Sequence, residues 1–190
     1  METHSRKIRK VITIAGSDSG AGAGIQADLK TFAALGVYGT TAITAITAQN
    51  TVGVTSVLAL SPKLVAAQID AIVGDIGAHA TKTGMLANAA IIDMVVNAIR
   101  RHGLKNLVVD PVMVATSGDL LIQKSAVAAL RTKLIPLASV VTPNIPEAAE
   151  LTGMTPDSAE EIQEAARLIL KMGAKTVILN GGLLKGPAVD

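Results

Sequence analysis

Apolar residues along the chain fall into two alternating patterns. Compact runs occur at 11–15, 39–48, 54–60, 79–84, 106–111, 138–142 and 176–180, and these predict strands. Between most of them apolar positions recur every three or four residues, at 25–35, 63–74, 88–102, 123–135, 145–152 and 159–172, which predicts helices. The ends of the helical stretches carry matching punctuation. Ser61-Pro62 supplies an N-cap with proline at the first helical position. Ser158 with Glu161, and Asn144 with Glu147, have capping-box spacing. Gly36, Gly103, Gly153 and Gly173 stand where a helix C-cap favours the left-handed conformation. Runs such as Asn106-Leu-Val-Val-Asp110 are apolar on both faces, as in a strand covered by helices on each side. The pattern therefore predicts one α/β domain over 1–190, a three-layer fold with a mostly parallel central sheet flanked by helices. Runs 39–48 and 54–60 are only a few residues apart, around Gly53, and predict a local hairpin.

Composition narrows the picture. Hydrophobic residues make up 49% of the 190, enough for a sizeable core, and aromatics only 1% (Phe32 and Tyr38). A planar ligand would thus be held by aliphatic and Met side chains. The net charge of +2 rests on scattered Lys and Arg apart from residues 6–10, so no nucleic-acid surface is expected. The apolar run Val11–Ala15 is shorter than the ~7–15 residues of a signal-peptide core, and no stretch approaches the roughly 18 apolar residues of a membrane span. No Cys is present, so disulfides and thiolate metal sites are excluded. The expectation is a cytoplasmic protein with no membrane partner.

Ligands of such sheets bind beyond the carboxyl ends of the strands, and the expected strands end in polar or Gly-rich segments. The first leads into Gly16-Ser-Asp-Ser-Gly-Ala-Gly-Ala-Gly24, and others end in Gln49-Asn50, Lys82-Thr83-Gly84-Met85, Asp110-Pro111-Val112, Thr142-Pro143-Asn144 and Asn180-Gly181-Gly182. The Gly-rich loop is not a Walker loop, because Leu29 rather than Gly precedes Lys30-Thr31. Gly22-Ala23-Gly24-Ile25-Gln26-Ala27 satisfies a loose dinucleotide fingerprint, but no Asp or Glu lies between Asp28 and Asp70 to take a ribose. The remaining functional reading is a loop that lets backbone approach a small ligand at a helix N-terminus, against a plain tight turn.

Asp28 falls between Phe32 and Leu35 on the helical wheel, on or beside the apolar stripe of Ile25, Leu29 and Phe32. A helix-dipole role would explain its position along the helix but not its face. An inward carboxylate needs a hydrogen-bonded partner, and a ligand can supply it. Asp110, at the end of an apolar strand, reads either as a turn former or as a site residue. Asn144 and Glu147 read as a capping box, yet Asp110 and Glu147 together also suit a Mg²⁺ shared with phosphates and water. His4, His79 and His102 show no ligand spacing.

The segments AGSDSGAGAGIQADLKTFAALGVYG, TAITAQNT, KTGML, DPVMV and VTPNIPEAAELTG, in this order, resemble the hydroxymethylpyrimidine and phosphomethylpyrimidine kinases of thiamin biosynthesis, within the ribokinase-like superfamily. The resemblance implies a ribokinase-like fold, a homodimer, and ATP- and Mg²⁺-dependent phosphorylation of 4-amino-5-hydroxymethyl-2-methylpyrimidine and then of its monophosphate. It places Gly16, Asp28 and Gln49 in the pyrimidine pocket, with Met85 and Val112 as the walls that sandwich the ring. It places Asp110 and Asn144 at the phosphates, and Asp110 and Glu147 at Mg²⁺. Asn180 and Thr116 stand where the family commonly has Lys, and Leu183 where it has His. The family's later Gly-Thr-Gly-Cys segment, which forms the anion hole and faces the hydroxymethyl group, is not among these residues. On this reading the chain is C-terminally incomplete and carries no catalytic residue of its own. Pyridoxal kinase activity and non-catalytic pyrimidine binding are the alternatives.

Overall fold

The computed structural model describes residues 8–113 and 124–180. A six-stranded sheet in the order β3-β2-β1-β4-β5-β6 organises the molecule. Its strands are β1 (Lys10–Asp18), β2 (Tyr38–Gln49), β3 (Val54–Ala59), β4 (Ala80–Thr83), β5 (Leu107–Val109) and β6 (Val140–Val141). All neighbours run parallel except β2 and β3, which form the expected antiparallel hairpin at one edge. The helices are α1 (Gly24–Ala34), α2 (Pro62–Asp75), α3 (Ala89–His102), α4 (Lys124–Ala129), α5 (Ile145–Thr152) and α6 (Ala159–Lys171).

Strand alternation sends side chains to two helical layers. On one face, Leu29 and Phe32 of α1 lie over Gly39 of β2, where an added Cβ would sit 2.8 Å from each. On the other, Ile12 and Ile14 join Val65 and Ile69 of α2 and Ile91, Ile92 and Val95 of α3 in one buried cluster. The predicted caps at Ser61 and Asn144 both form, the latter as a complete capping box. Ser158 accepts from the Glu161 amide as expected, but the Glu161 carboxylate reaches back to the Asp157 amide rather than to Ser158.

Two expected elements differ. The helix at 123–135 is described from Lys124 and changes its path in two steps, first widening and then tightening. A π-helical turn runs over Leu130–Leu134 and a 3₁₀ turn over Ile135–Leu137, where Pro136 enters. The strand expected at 176–180 is reduced to two parallel bridges, Val141 with Val177 and Asn144 with Asn180. Its partner β6 is only two residues long, so there is little ladder for it to extend.

Candidate functional site

The carboxyl ends of β1, β2, β4, β5 and β6 converge on one cleft of about 330 Å³. Its lining includes Gly16, Asp28, Gln49, Met85, Asp110, Val112, Asn144 and Glu147, so every site residue expected from the sequence meets there. Asn180 lines it as well, whereas Thr116 and Leu183 lie outside the described residues.

The Gly-rich loop is organised by its own aspartate. Asp18, the last residue of β1, accepts hydrogen bonds from the amides of Gly20 (2.7 Å), Gly22 (3.0 Å) and Ala23 (2.9 Å). Those amides are the donors that a phosphate would otherwise take at the start of α1, and the N-cap residue Ala23 has no side-chain acceptor of its own. Gln26 braces the turn from inside the helix. Its Oε1 accepts from the Asp18 amide and its Nε2 donates to Ser17 Oγ. The loop thus brings backbone close to the cleft without offering a phosphate cradle. Gly24 makes this possible: its φ is +57°, and a Cβ there would lie 2.4 Å from the Gly16 carbonyl oxygen.

Asp28 projects from α1 into the cleft, five residues into the helix and past its first turn. Its partners come from the protein. Thr13 Oγ1 donates to Oδ2 at 2.6 Å, and Lys82 Nζ lies 3.1 Å from Oδ1. β1 and β4 thus already supply the hydrogen-bonded partners that an inward carboxylate needs, and Asp28 still lines the cleft. Lys82 also pairs with Asp110 Oδ2 at 3.3 Å.

The cleft has one apolar wall and two polar ends. Met85 is buried, Val112 packs against the core, and a Cβ added at Gly16 would meet Met85 Sδ at 3.1 Å. Gly16 and Met85 are thus in direct contact, and with Val112 they form the apolar part of the lining. Ser19 ties the Gln49 backbone in both directions, accepting from its amide and donating to its carbonyl. The Thr47 hydroxyl stands 3.1 Å from Gln49 Oε1, while the side-chain nitrogen has no partner among the described residues and is available to a ligand acceptor.

At the other end, Asn144 and Glu147 close their capping box, the Asn144 amide donating to Glu147 Oε2 at 3.0 Å and the Glu147 amide to Asn144 Oδ1 at 2.8 Å. Burial pushes the Glu147 carboxyl up to about 7; the Asn144 amide opposes the rise, the Asp110 charge adds to it, and the Met113 amide opposes it. Burial likewise raises Asp110, against the pull of Lys82 and with a further push from Asp28. No group of three or more His, Asp or Glu among the described residues could hold a metal alone. Asp110 and Glu147 on one cleft are oxygen donors of the kind a Mg²⁺ accepts when its remaining ligands come from phosphates and water.

Lys82, Thr13 and Asp18 are the functional neighbours that sequence reasoning did not assign. Asp18 had a local signal, since an Asp two residues before Gly is an Asx-turn former. Lys82 had none, because its partners lie 54 residues upstream and on the next strand's end.

The family model described as phosphomethylpyrimidine kinase matches residues 18–190. The hydroxymethylpyrimidine/phosphomethylpyrimidine kinase of Rhizobium meliloti is 55% identical over 92% of this chain and 66% of its own length. That of Bacillus subtilis is 51% identical over 92% and 65%. The chain therefore spans 65–66% of these curated relatives. Among solved structures, a phosphomethylpyrimidine kinase from Clostridium difficile superimposes with a TM-score of 0.88 at 48% identity, over 96% of this chain and 79% of that one. A Bacillus subtilis pyridoxal kinase in an ADP complex gives 0.86 at 43% identity, over 94% and 68%. Sequence and fold are thus shared at 43–55% identity over 92–96% of the chain, and the chain belongs to the phosphomethylpyrimidine kinase family, with its ribokinase-like fold.

Proposed function

We propose that the complete protein transfers the γ-phosphoryl group of ATP to the hydroxymethyl oxygen of 4-amino-5-hydroxymethyl-2-methylpyrimidine, and then to the resulting monophosphate. The observation that carries this reading is the division of the cleft. Its slot is lined by the apolar side chains of Met85 and Val112, by Gln49 and Asp28 from β2 and α1, and by Asp110, Asn144 and Glu147 from beyond the ends of β5 and β6. An aromatic heterocycle fits such a slot without aromatic partners. The Gln49 amide would read a ring nitrogen and an amino group, and Asp28 would accept from a donor on the ring. Val112 would close the slot opposite Met85.

Phosphoryl transfer depends on positioning and on stabilising charge at the transferred group. Asp110 and Glu147 would hold Mg²⁺, which when bound neutralises phosphate charge, and Asn144 would contribute its amide at the same place. Asn180, a neutral side chain on the same rim, would hydrogen-bond phosphate without adding charge. The edge hairpin exposes Ile46 and Leu58, which face each other across β2 and β3, and we assign this strip to a homodimer interface. The cytoplasm, where ATP is supplied, is the compartment that this reading assigns.

A second reading, phosphorylation of pyridoxal, is favoured by the pyridoxal kinase neighbours, and a hydroxymethyl pyridine would fill the same slot. ADP release by the complete protein with each substrate separates the two. The pyrimidine should give the higher kcat/KM, and Gln49→Ala should lower it by about 10–100-fold, as expected for losing one or two hydrogen bonds. Faster turnover of pyridoxal, or a Gln49→Ala enzyme with unchanged kcat/KM, would overturn the pyrimidine assignment.

A further inference from the structure

The Lys82 ammonium occupies the floor of the cleft between its two ends. Nζ lies 3.1 and 3.2 Å from the two Asp28 oxygens and 3.3 Å from Asp110 Oδ2. The Lys82 side chain is only 19% exposed, and those of Asp28 and Asp110 are 16% and 33% exposed, so this is not a solvated surface pair. The surroundings are shaped for it. Lys82 stands beside Thr13 in the β1–β4 register, and the Thr13 hydroxyl fixes the Asp28 oxygen that also faces the ammonium. A Cβ on Gly84 would come within 3.0 Å of Nζ, so the missing side chain at that position is what leaves space for the charged head.

Two carboxylates therefore share one cation, and they belong to different halves of the site. Asp28 borders the slot for the ring, while Asp110 borders the acidic end. Without Lys82, Asp28 would keep only Thr13 among its observed partners and would face Asp110 with no intervening charge. Two consequences of opposite sign follow. Asp28 would lose the contact that turns its free lone pairs towards a ligand donor. Asp110 would gain uncompensated negative charge and attract a cation more strongly.

We propose that Lys82 is a positioning residue that holds Asp28 for the ring ligand and at the same time tempers the attraction of Asp110 for a divalent cation. This rests on the pyrimidine reading of the slot. A structural role alone would weaken both ligands on removal; the proposal requires that one weakens while the other strengthens.

The test is calorimetric titration of the complete protein and its Lys82→Met variant, in mildly alkaline buffer, with hydroxymethylpyrimidine and, separately, with Mn²⁺ in the absence of nucleotide. The pyrimidine Kd should rise by about tenfold or more, and the Mn²⁺ Kd should fall by roughly three- to tenfold. Should Lys82→Met fail to fold by circular dichroism, Lys82→Leu carries the same expectations, since it too removes both the charge and the hydrogen bond to Asp28. Unchanged pyrimidine affinity, or loss of affinity for both ligands in a folded variant, overturns the role of Lys82 while leaving the function reading intact. Failure of the unsubstituted protein to bind the pyrimidine overturns both.

Discussion

Gly24→Ala tests whether the close approach of α1 to β1 is what builds the cleft. Gly24 has φ +57°, and an added Cβ would lie 2.4 Å from the Gly16 carbonyl oxygen and 3.2 Å from the Asp18 amide nitrogen. Both obstacles are backbone, so no side-chain rotation relieves them. A left-handed Ala costs about 1–2 kcal/mol, and forcing an extra methyl into a packed site adds about 1–3 kcal/mol. The stiffer unfolded chain returns about 0.4–1 kcal/mol. The net loss should be roughly 3 kcal/mol, or a Tm lower by about 6–12 °C for a chain of this size.

Gly36→Ala is the matched control. Gly36 also has a left-handed φ, +68°, but nothing lies within 4 Å of its added Cβ. It should therefore lose only the conformational part, about 1 kcal/mol. Thermal melts and urea titrations of the two variants in parallel isolate the clash as their difference. Gly24→Ala should also weaken pyrimidine binding, because moving α1 away from Gly16 carries Asp28 with it. Equal destabilisation of the two variants would refute the reasoning, since the contact with Gly16 would then carry no energy.

Two further predictions concern the acidic end and the hairpin. The Glu147 carboxyl, raised by burial from 4.5 to about 7 in the folded protein, binds more protons folded than unfolded between those values. Its contribution to stability is therefore fully present below pH 4.5 and is lost as pH rises towards 7, by on the order of 3 kcal/mol at most. Denaturation at pH 5 and pH 8 should show Glu147→Gln, which keeps the capping box, with a flatter profile than the parent; Asp110, raised in the same direction, leaves some slope in both. A parent whose stability falls no more than that of the variant would sink this account. In the second, Leu58→Asp on the exposed face of β3 should convert the complete protein from dimer to monomer in light scattering. A monomeric parent, or a dimeric variant, would remove the hairpin from the interface.

What could be read from the sequence was mostly local in origin. The caps at Ser61 and Asn144, the glycines after the helices and the alternation of strands with helices each depend on a few neighbouring residues, and each appears in the structure. The inward face of Asp28 was legible from helical periodicity alone. Its partner was not, because Lys82 reaches it only after β1 and β4 have paired and α1 has packed across them. The Gly-rich loop shows the same limit. Its glycines announced a close approach, but only the fold shows that Asp18 has taken the loop amides for itself. The strand expected at 176–180 has the apolar run of a strand, yet pairing is decided by its neighbour, and β6 offers it two residues.

The charges that fold brings together bear on how a nucleotide could be accepted. The cleft is lined by four acidic side chains, Asp18, Asp28, Asp110 and Glu147, and among the described residues by a single cationic one, Lys82. Asp18 is satisfied by three backbone amides, and Asp28 by Thr13 and Lys82. What remains is Asp110, sharing Lys82, and Glu147, whose carboxyl is held high by burial. A polyphosphate entering this end would meet negative charge rather than positive, since the loop amides that might have welcomed it are already occupied. Phosphate can approach two carboxylates favourably only if a cation comes between them. On the proposed function, Mg²⁺ would be that cation. With its ammonium 3.1 Å from Asp28 and 3.3 Å from Asp110, Lys82 is committed to those two carboxylates rather than left free for a phosphate.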